Sequence, residues 1–254
     1  MDLGLTGKRA LVTGASKGIG LAIASRLASE GAAVAICARG EGALKESAAA
    51  LAGSGVAVHA DVVDVADGDA LKAFVREAAE ALGGLDIVVH NTSASAGRGP
   101  EQWINSFNID LMPLIHLVDA AMPSLEASDA GAVVAIGTTN ALETAPPASA
   151  NSYGAFKAAV IQHASALGHT LAPKGIRVNS VSPGPVWFEG GVWEMIKNGR
   201  PELYDSVLAN IPLGSMATDA EIANAVAFLA SPAAAHITGV NLVVDGGFTK
   251  RVQF

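Results

Sequence analysis

The sequence predicts an α/β fold, a doubly wound parallel sheet of about seven strands with helices on both faces, as a single domain over residues 1–254. Three observations predict it. Short β-type runs alternate with helical stretches about seven times, which calls for parallel strands joined by right-handed crossovers. A glycine-rich turn at 14–20 stands between the first strand and the first helix. No repeat, linker or domain boundary divides the chain.

Composition bounds the function. The chain has 254 residues, half of them hydrophobic and 16% charged, which suits one large globular unit. A net charge of −8 without a basic patch argues against nucleic acid or an anionic membrane as partner. No uninterrupted apolar run reaches the roughly 18 residues of a membrane span, and residues 1–4 lead into a polar turn and a strand rather than a signal peptide. The single Cys37 lies in an apolar run, so no internal disulfide forms, and a reducing cytoplasm is expected. The six histidines (59, 90, 116, 163, 169 and 236) lack metal-ligand spacing, so no metal site is expected.

The first strand is expected over 8–13, followed by Gly14, Ala15, Ser16, Lys17, Gly18, Ile19 and Gly20 and a helix over 21–29. Glycines in such a turn admit positive φ and let backbone N–H groups approach a phosphate, and the helix N-terminus adds partial positive charge. The second strand, 32–37, ends in Ala38 and Arg39, about 20 residues past the glycines. A carboxylate there would mark NAD. Ala38 supplies none, while Arg39, with Lys17 as a second cation, suits a 2′-phosphate and points to NADP(H).

A helix over 41–52 precedes a strand over 56–60, which places Asp61 and Val62 just past a strand's C-terminal end, where ligands bind such sheets. A helix over 67–82 has Asp67 as its N-cap. The fourth strand, 85–90, runs into Asn91, Thr92, Ser93 and Ala94. Residues 101–125 read as a helix kinked at Pro113. The fifth strand, 132–136, leads to Gly137, Thr138, Thr139 and Asn140, then to a loop containing Pro146 and Pro147. A helix over 153–171 and a sixth strand over 176–181 follow, and the latter leads into Ser182, Pro183, Gly184 and Pro185. Residues 186–213 change character, with Trp187, Phe188, Trp193 and Met195 around two glycines, and suit either a substrate lid or a packed surface helix. A helix over 219–229 and a last strand over 240–245 complete the pattern.

Tyr153 and Lys157 are four apart on a helix, so phenol and ammonium share one face. A nearby ammonium favours phenolate and lowers the phenol pKa, which suits proton transfer at a carbonyl or alcohol oxygen.

Together these segments resemble the NADP(H)-dependent short-chain dehydrogenases/reductases, in the group that includes the 3-oxoacyl-[acyl-carrier-protein] reductases. The resemblance covers nearly the whole chain. It rests on Thr13-Gly14-x-x-x-Gly18-x-Gly20, Asp61-Val62, Asn91, Asn108, Tyr153-x-x-x-Lys157, Asn179, Pro183-Gly184 and Asp245-Gly246-Gly247. It implies a Rossmann-type fold with Tyr153 as acid/base, Lys157 tuning it and binding the nicotinamide ribose, and Asn108 holding a water in a relay with Lys157. It implies that Gly14, Ser16, Ile19 and Arg39 hold the pyrophosphate and adenosine, that Asp61 and Val62 border the adenine, and that Asn91 and Val186 line the nicotinamide side. It also implies a homotetramer packed through 240–247.

Departures from the family pattern bear on the substrate. Alignment on the fifth strand puts Thr138 where the family has a substrate-binding Ser, and a shorter loop count selects Thr139 or Asn140. Thr keeps the hydroxyl and adds a methyl. His90-Asn91-Thr92-Ser93 replaces Asn-Asn-Ala-Gly, and Phe156 replaces a small polar residue. The expected function is hydride transfer between NADP(H) and a small or hydrophobic carbonyl or secondary alcohol, with Ser93, Thr139, Asn140, Trp187, Phe188 and Trp193 at the substrate. Two alternatives stay open: a 3-oxoacyl-[acyl-carrier-protein] reductase, and a non-catalytic NADP(H)-binding protein.

Overall fold

A computed structural model describes residues 2–97, 99–144 and 150–250. Seven strands form one parallel sheet: β1 (Arg9–Thr13), β2 (Ala33–Ala38), β3 (Val58–Val62), β4 (Ile87–His90), β5 (Ala132–Ile136), β6 (Arg177–Pro183) and, last in the chain, β9 (Asn241–Val244). Their spatial order is β3-β2-β1-β4-β5-β6-β9. The direction of winding reverses between β1 and β4, so a crevice opens past the C-terminal ends of these two strands.

Alternation along each strand builds two cores. Ala10, Val12, Val34 and Ile36 pack under α1 (Gly18–Ser29), α2 (Glu41–Ala52) and α9 (Asp219–Ala230). Leu11, Ala35, Cys37 and Val88 point the other way, under α3 (Gly68–Leu82), α5 (Met112–Ala127) and α6 (Ser152–Leu171). Successive side chains alternate across a strand, so one hydrophobic run serves both layers. Burial pushes the Cys37 thiol up to about 12, which makes it an inert core residue. The Asp67 carboxylate caps α3 by accepting from the N–H groups of Asp69 and Ala70, as the sequence predicts.

Two expectations change. The third strand runs two residues later than predicted, because β3 pairs in register with β2 as far as Ala38 opposite Val62. Asp61 and Val62 are therefore strand residues. The long helix over 101–125 is broken as predicted, though not by Pro113. It divides into α4 (Pro100–Ser106), a π-helical turn (Phe107–Leu111) and α5. Pro113 sits in the first turn of α5, where a missing N–H costs little.

Residues 186–213 form a strand, β7 (Val186–Trp187), and two short helices, α7 (Val192–Gly199) and α8 (Pro201–Leu208); β7 pairs with β8 (Ala217–Thr218). The loop with Pro146 and Pro147 lies outside the described residues. Among the described residues no helix is long and apolar enough to cross a membrane, and no group of three His, Cys, Asp or Glu could hold a metal.

Candidate active site

The crevice has two hollows that meet. The first, of about 530 Å³, is lined by Gly14, Ser16, Lys17, Gly18, Ile19 and Gly20 of the turn after β1, by Arg39 after β2, and by Asn91 and Ser93 after β4. Gly14 and Gly18 have φ of +65° and +53°, a region that side chains disfavour. A Cβ on Gly20 would lie 2.3 Å from the Gly14 carbonyl oxygen, so only glycine permits this turn. No side chain caps α1. Asn91 locks the turn from the neighbouring strand: its Nδ2 donates to the carbonyls of Thr13 (3.0 Å) and Gly14 (3.2 Å), and its backbone N–H donates to Thr13 Oγ1 (3.1 Å). A glycine cradle, an uncapped helix N-terminus and the exposed cations Lys17 and Arg39 fit a dinucleotide phosphate chain.

The second hollow, of about 220 Å³, is lined by Thr138, Tyr153, Lys157, Pro183, Gly184, Val186, Phe188 and Trp193, and shares Ile19, Asn91, Ser93 and Phe188 with the first. Phe188 lies over the glycine turn; its ring carbons stand 2.8 Å from where a Cβ on Gly18 would sit.

Local structure sets each polar group. Thr138 lies two residues past the end of β5, and its Oγ1 accepts from the Asn140 N–H at 3.3 Å. Asn151 caps α6 by accepting from the Gly154 N–H at 3.1 Å, which fixes Tyr153 in the first turn of that helix. Thr138 and Tyr153 line the same hollow. Among Thr138, Thr139 and Asn140, Thr138 is the one in the hollow; Thr139 is buried in a one-turn helix and Asn140 lies beside it in the same turn.

Lys157 is buried. Its Nζ donates to the carbonyls of Thr92 (3.1 Å) and Ile136 (2.9 Å) and stands 3.7 Å from Asp110 Oδ1. Burial pulls the Lys157 ammonium down and pushes the Asp110 carboxyl up, and each opposes the other's shift through its charge. The expected lowering of the Tyr153 phenol by Lys157 is overturned. Burial pushes the phenol up, the Thr138 hydrogen bond opposes this, and the Asp110 charge adds to it. Among the described residues none of the ammonium's hydrogen bonds goes to the phenol.

Other predicted site residues lie elsewhere. Asp110 stands 3.7 Å from Lys157 Nζ, and Asn108 lies two residues before it in the same π-helical turn. Asp110 was legible as the polar residue in the buried series Ser106, Asp110, Leu114, Leu117, Ala121 and Leu125. Asp61 and Val62 do not line the crevice, and Val63, Asp64 and Val65 do, which follows from the two-residue shift of β3. Trp187 faces Tyr204, with ring centroids 5.9 Å apart, and Lys197 lies 5.2 Å above it, so it supports the 186–213 segment and leaves the hollow to Trp193. Phe156 packs edge-on against Trp103 and Phe107, away from the hollow. His90 is fully buried, and its Nε2 bonds the Asp110 carbonyl at 2.7 Å.

A dinucleotide-type crevice at the switch point of a doubly wound sheet, with a Thr, Tyr and Lys group beside it, defines a class of oxidoreductase. Residues 14–249 match the family described as Enoyl-(Acyl carrier protein) reductase. The chain is 38% identical to isoepoxydon dehydrogenase patN of Penicillium expansum over 260 residues, covering 100% of this chain and 99% of that protein. It is 33% identical to the 3-oxoacyl-[acyl-carrier-protein] reductase FabG of Vibrio harveyi over 250 residues, covering 96% and 98%. The structure of L-sorbose reductase from Gluconobacter frateurii, complexed with NADPH and L-sorbose, superposes with a TM-score of 0.88 at 30% identity, covering 99% of this chain and 100% of that one. This chain belongs to the short-chain dehydrogenase/reductase family.

Proposed function

We propose that this protein is an NADP(H)-dependent oxidoreductase that interconverts a small or hydrophobic carbonyl compound and its secondary alcohol. The observation that carries the reading is the meeting of Thr138, Tyr153 and Lys157 in a hollow continuous with the glycine-turn crevice. When bound, the nicotinamide supplies or accepts the hydride. Tyr153 donates the proton to the substrate oxygen in reduction and removes it in oxidation. Thr138, which lines the same hollow as Tyr153, holds that oxygen beside the phenol. Lys157 supplies a fixed positive charge at the base of the hollow.

Arg39 and Lys17 on the rim, with no carboxylate at Ala38, support NADP(H) over NAD(H), and the NADPH complex of the L-sorbose reductase is consistent with this. Asp64 and Val65, rather than Asp61 and Val62, take the adenine side. The residues Ile19, Val186, Phe188, Val192 and Trp193 make the hollow apolar, which supports the substrate class and a lid role for 186–213. We place the protein in the cytoplasm as a homotetramer; the partly exposed Val240 and Leu242 on and before β9 support the assembly.

A second reading, a 3-oxoacyl-[acyl-carrier-protein] reductase, is favoured by the FabG relatives. An acidic carrier protein calls for a basic docking surface, and the net charge of −8 opposes it. The test is initial-rate assay with NADPH and with NADH against small ketones, apolar cyclic ketones and an acyl-carrier thioester. NADPH-selective turnover of free ketones is expected. Strong preference for the thioester transfers the assignment to the second reading. NADPH binding without turnover, in reduction or in oxidation of matching alcohols, points to a non-catalytic protein.

A further inference from the structure

We propose that Ser93 is a specificity-determining residue of this site: its hydroxyl hydrogen-bonds a second oxygen of the substrate, a hydroxyl on the carbon beside the reacting one, so that the substrates are small α-hydroxy ketones and the matching vicinal diols. The proposal rests on the reading of Tyr153 and Thr138 as the pair that takes the reacting oxygen. Among the described residues three hydroxyls line the second hollow, those of Ser93, Thr138 and Tyr153. A carbonyl reduced alone uses two of them. The other polar side chains there are committed elsewhere: Asn91 Nδ2 donates to the carbonyls of Thr13 and Gly14, and Lys157 Nζ to those of Thr92 and Ile136. Ser93 is the third hydroxyl, and it is exposed.

The loop after β4 is built to hold this group. Ser93 Oγ accepts from the Ser95 N–H at 3.0 Å. Ser95 has φ of +62° and is the one residue other than glycine with positive φ among the described residues. Side chains disfavour that region, so it persists only where the surroundings impose it. Three hydrogen bonds do so here: the one to Ser93, and those that Gln102 Nε2 on α4 donates to the carbonyls of Ala94 (3.3 Å) and Ser95 (2.9 Å). The bond from Ser95 takes one of the two lone pairs of Ser93 Oγ, which fixes the oxygen without consuming the group. A substrate hydroxyl both donates and accepts, so it fits whichever valence Oγ leaves open, while a hydrocarbon at the same place leaves Oγ unpaired. Ser93 lines both hollows and so stands where they meet. The reacting carbon lies at that junction, and the oxygen that Ser93 reaches belongs to its neighbour. Ile19, Val186, Phe188 and Trp193 give the remaining carbons an apolar wall.

Acetoin and butanone differ by that hydroxyl alone, and they are the probes. Wild-type protein with NADPH is expected to prefer acetoin in kcat/KM. The hydroxyl also activates the carbonyl, so the decisive quantity is the change in the acetoin-to-butanone ratio on substitution. Ser93→Ala is expected to lower the ratio about tenfold, the effect of one hydrogen bond, and Ser93→Thr, which keeps the hydroxyl, to restore most of it. A general loss of folding or of NADPH affinity lowers both rates together and leaves the ratio alone. Ser93→Gly removes the same hydroxyl, so whichever of it and Ser93→Ala folds decides. NADPH affinity, followed by fluorescence, is the second readout, and weaker binding with an unchanged ratio overturns the proposal by assigning Ser93 to the dinucleotide. A wild-type protein that does not prefer acetoin overturns it without any variant. Turnover of plain ketones with none of acetoin overturns the proposal and leaves the reading of Tyr153 standing, and turnover of no ketone overturns both. Retained turnover in Tyr153→Phe overturns the reading of the acid, while the ratio still decides what Ser93 does.

Discussion

The two hollows of the crevice are built from different materials. The first is made of backbone: positive-φ glycines, an approach too close for any Cβ at Gly20, and a helix N-terminus without a cap. The second is made largely of side chains brought from the ends of β5 and β6, from α6 and from the 186–213 segment. Backbone sites tolerate little change in residue size. Side-chain sites depend on register, where a two-residue error exchanges Asp110 for Asn108.

The side-chain half breaks hardest where its buried charges are separated. Lys157→Met leaves Asp110 buried without a counter-charge and is expected to cost about 3–5 kcal/mol of stability. Denaturant titration checks it, and adding Asp110→Asn should restore part of the loss. No restoration would mean the two groups do not interact.

The backbone half is tested by Gly20→Ala. Its Cβ meets the Gly14 carbonyl oxygen and Asn91 Nδ2 at 2.3 and 2.4 Å, and about 1–3 kcal/mol is lost with it. Dinucleotide affinity, followed by fluorescence, should fall even at temperatures where the variant is folded.

Acid stability sharpens the contrast through His90, which bonds the Asp110 carbonyl behind the second half. His90 is held neutral by burial, then by the Lys157 charge, with a folded-state value of about 3 against about 6.5 unfolded. Its contribution is full above about pH 6.5 and is lost as pH falls toward 3, the loss reaching roughly 2 kcal/mol by about pH 5. His90→Gln should flatten this part of a stability-against-pH curve. The smallest effect is expected from Asn108→Ala. Partly exposed in the π-helical turn, Asn108 should leave stability within about 0.5 kcal/mol.

The same division explains what could be read from the sequence. The glycine turn, Arg39 and the seven strands announce themselves locally, through spacing and alternation, and the structure keeps them in place. Tyr153 and Lys157 were legible because four residues on a helix fix a shared face. Their electrostatics were not, since the carbonyls of Thr92 and Ile136 that claim the ammonium come from other strands' ends. Asp110, the buried neighbour of Lys157, was passed over although the buried series from Ser106 to Leu125 carried it. Asp61 and Val62 were misplaced because register against β2, rather than composition, sets where β3 ends. Trp187 shares its aromatic character with Trp193, and only its pairing with Tyr204 and Lys197 separates support from lining.

The most direct test of the account is single-turnover reduction of a ketone by NADPH in wild-type and Tyr153→Phe protein, with NADPH affinity measured for both. The account predicts near-equal affinity and a rate lower by about 10²–10⁴ in the variant. A rate close to wild type, or a loss explained entirely by weaker NADPH binding, would contradict it.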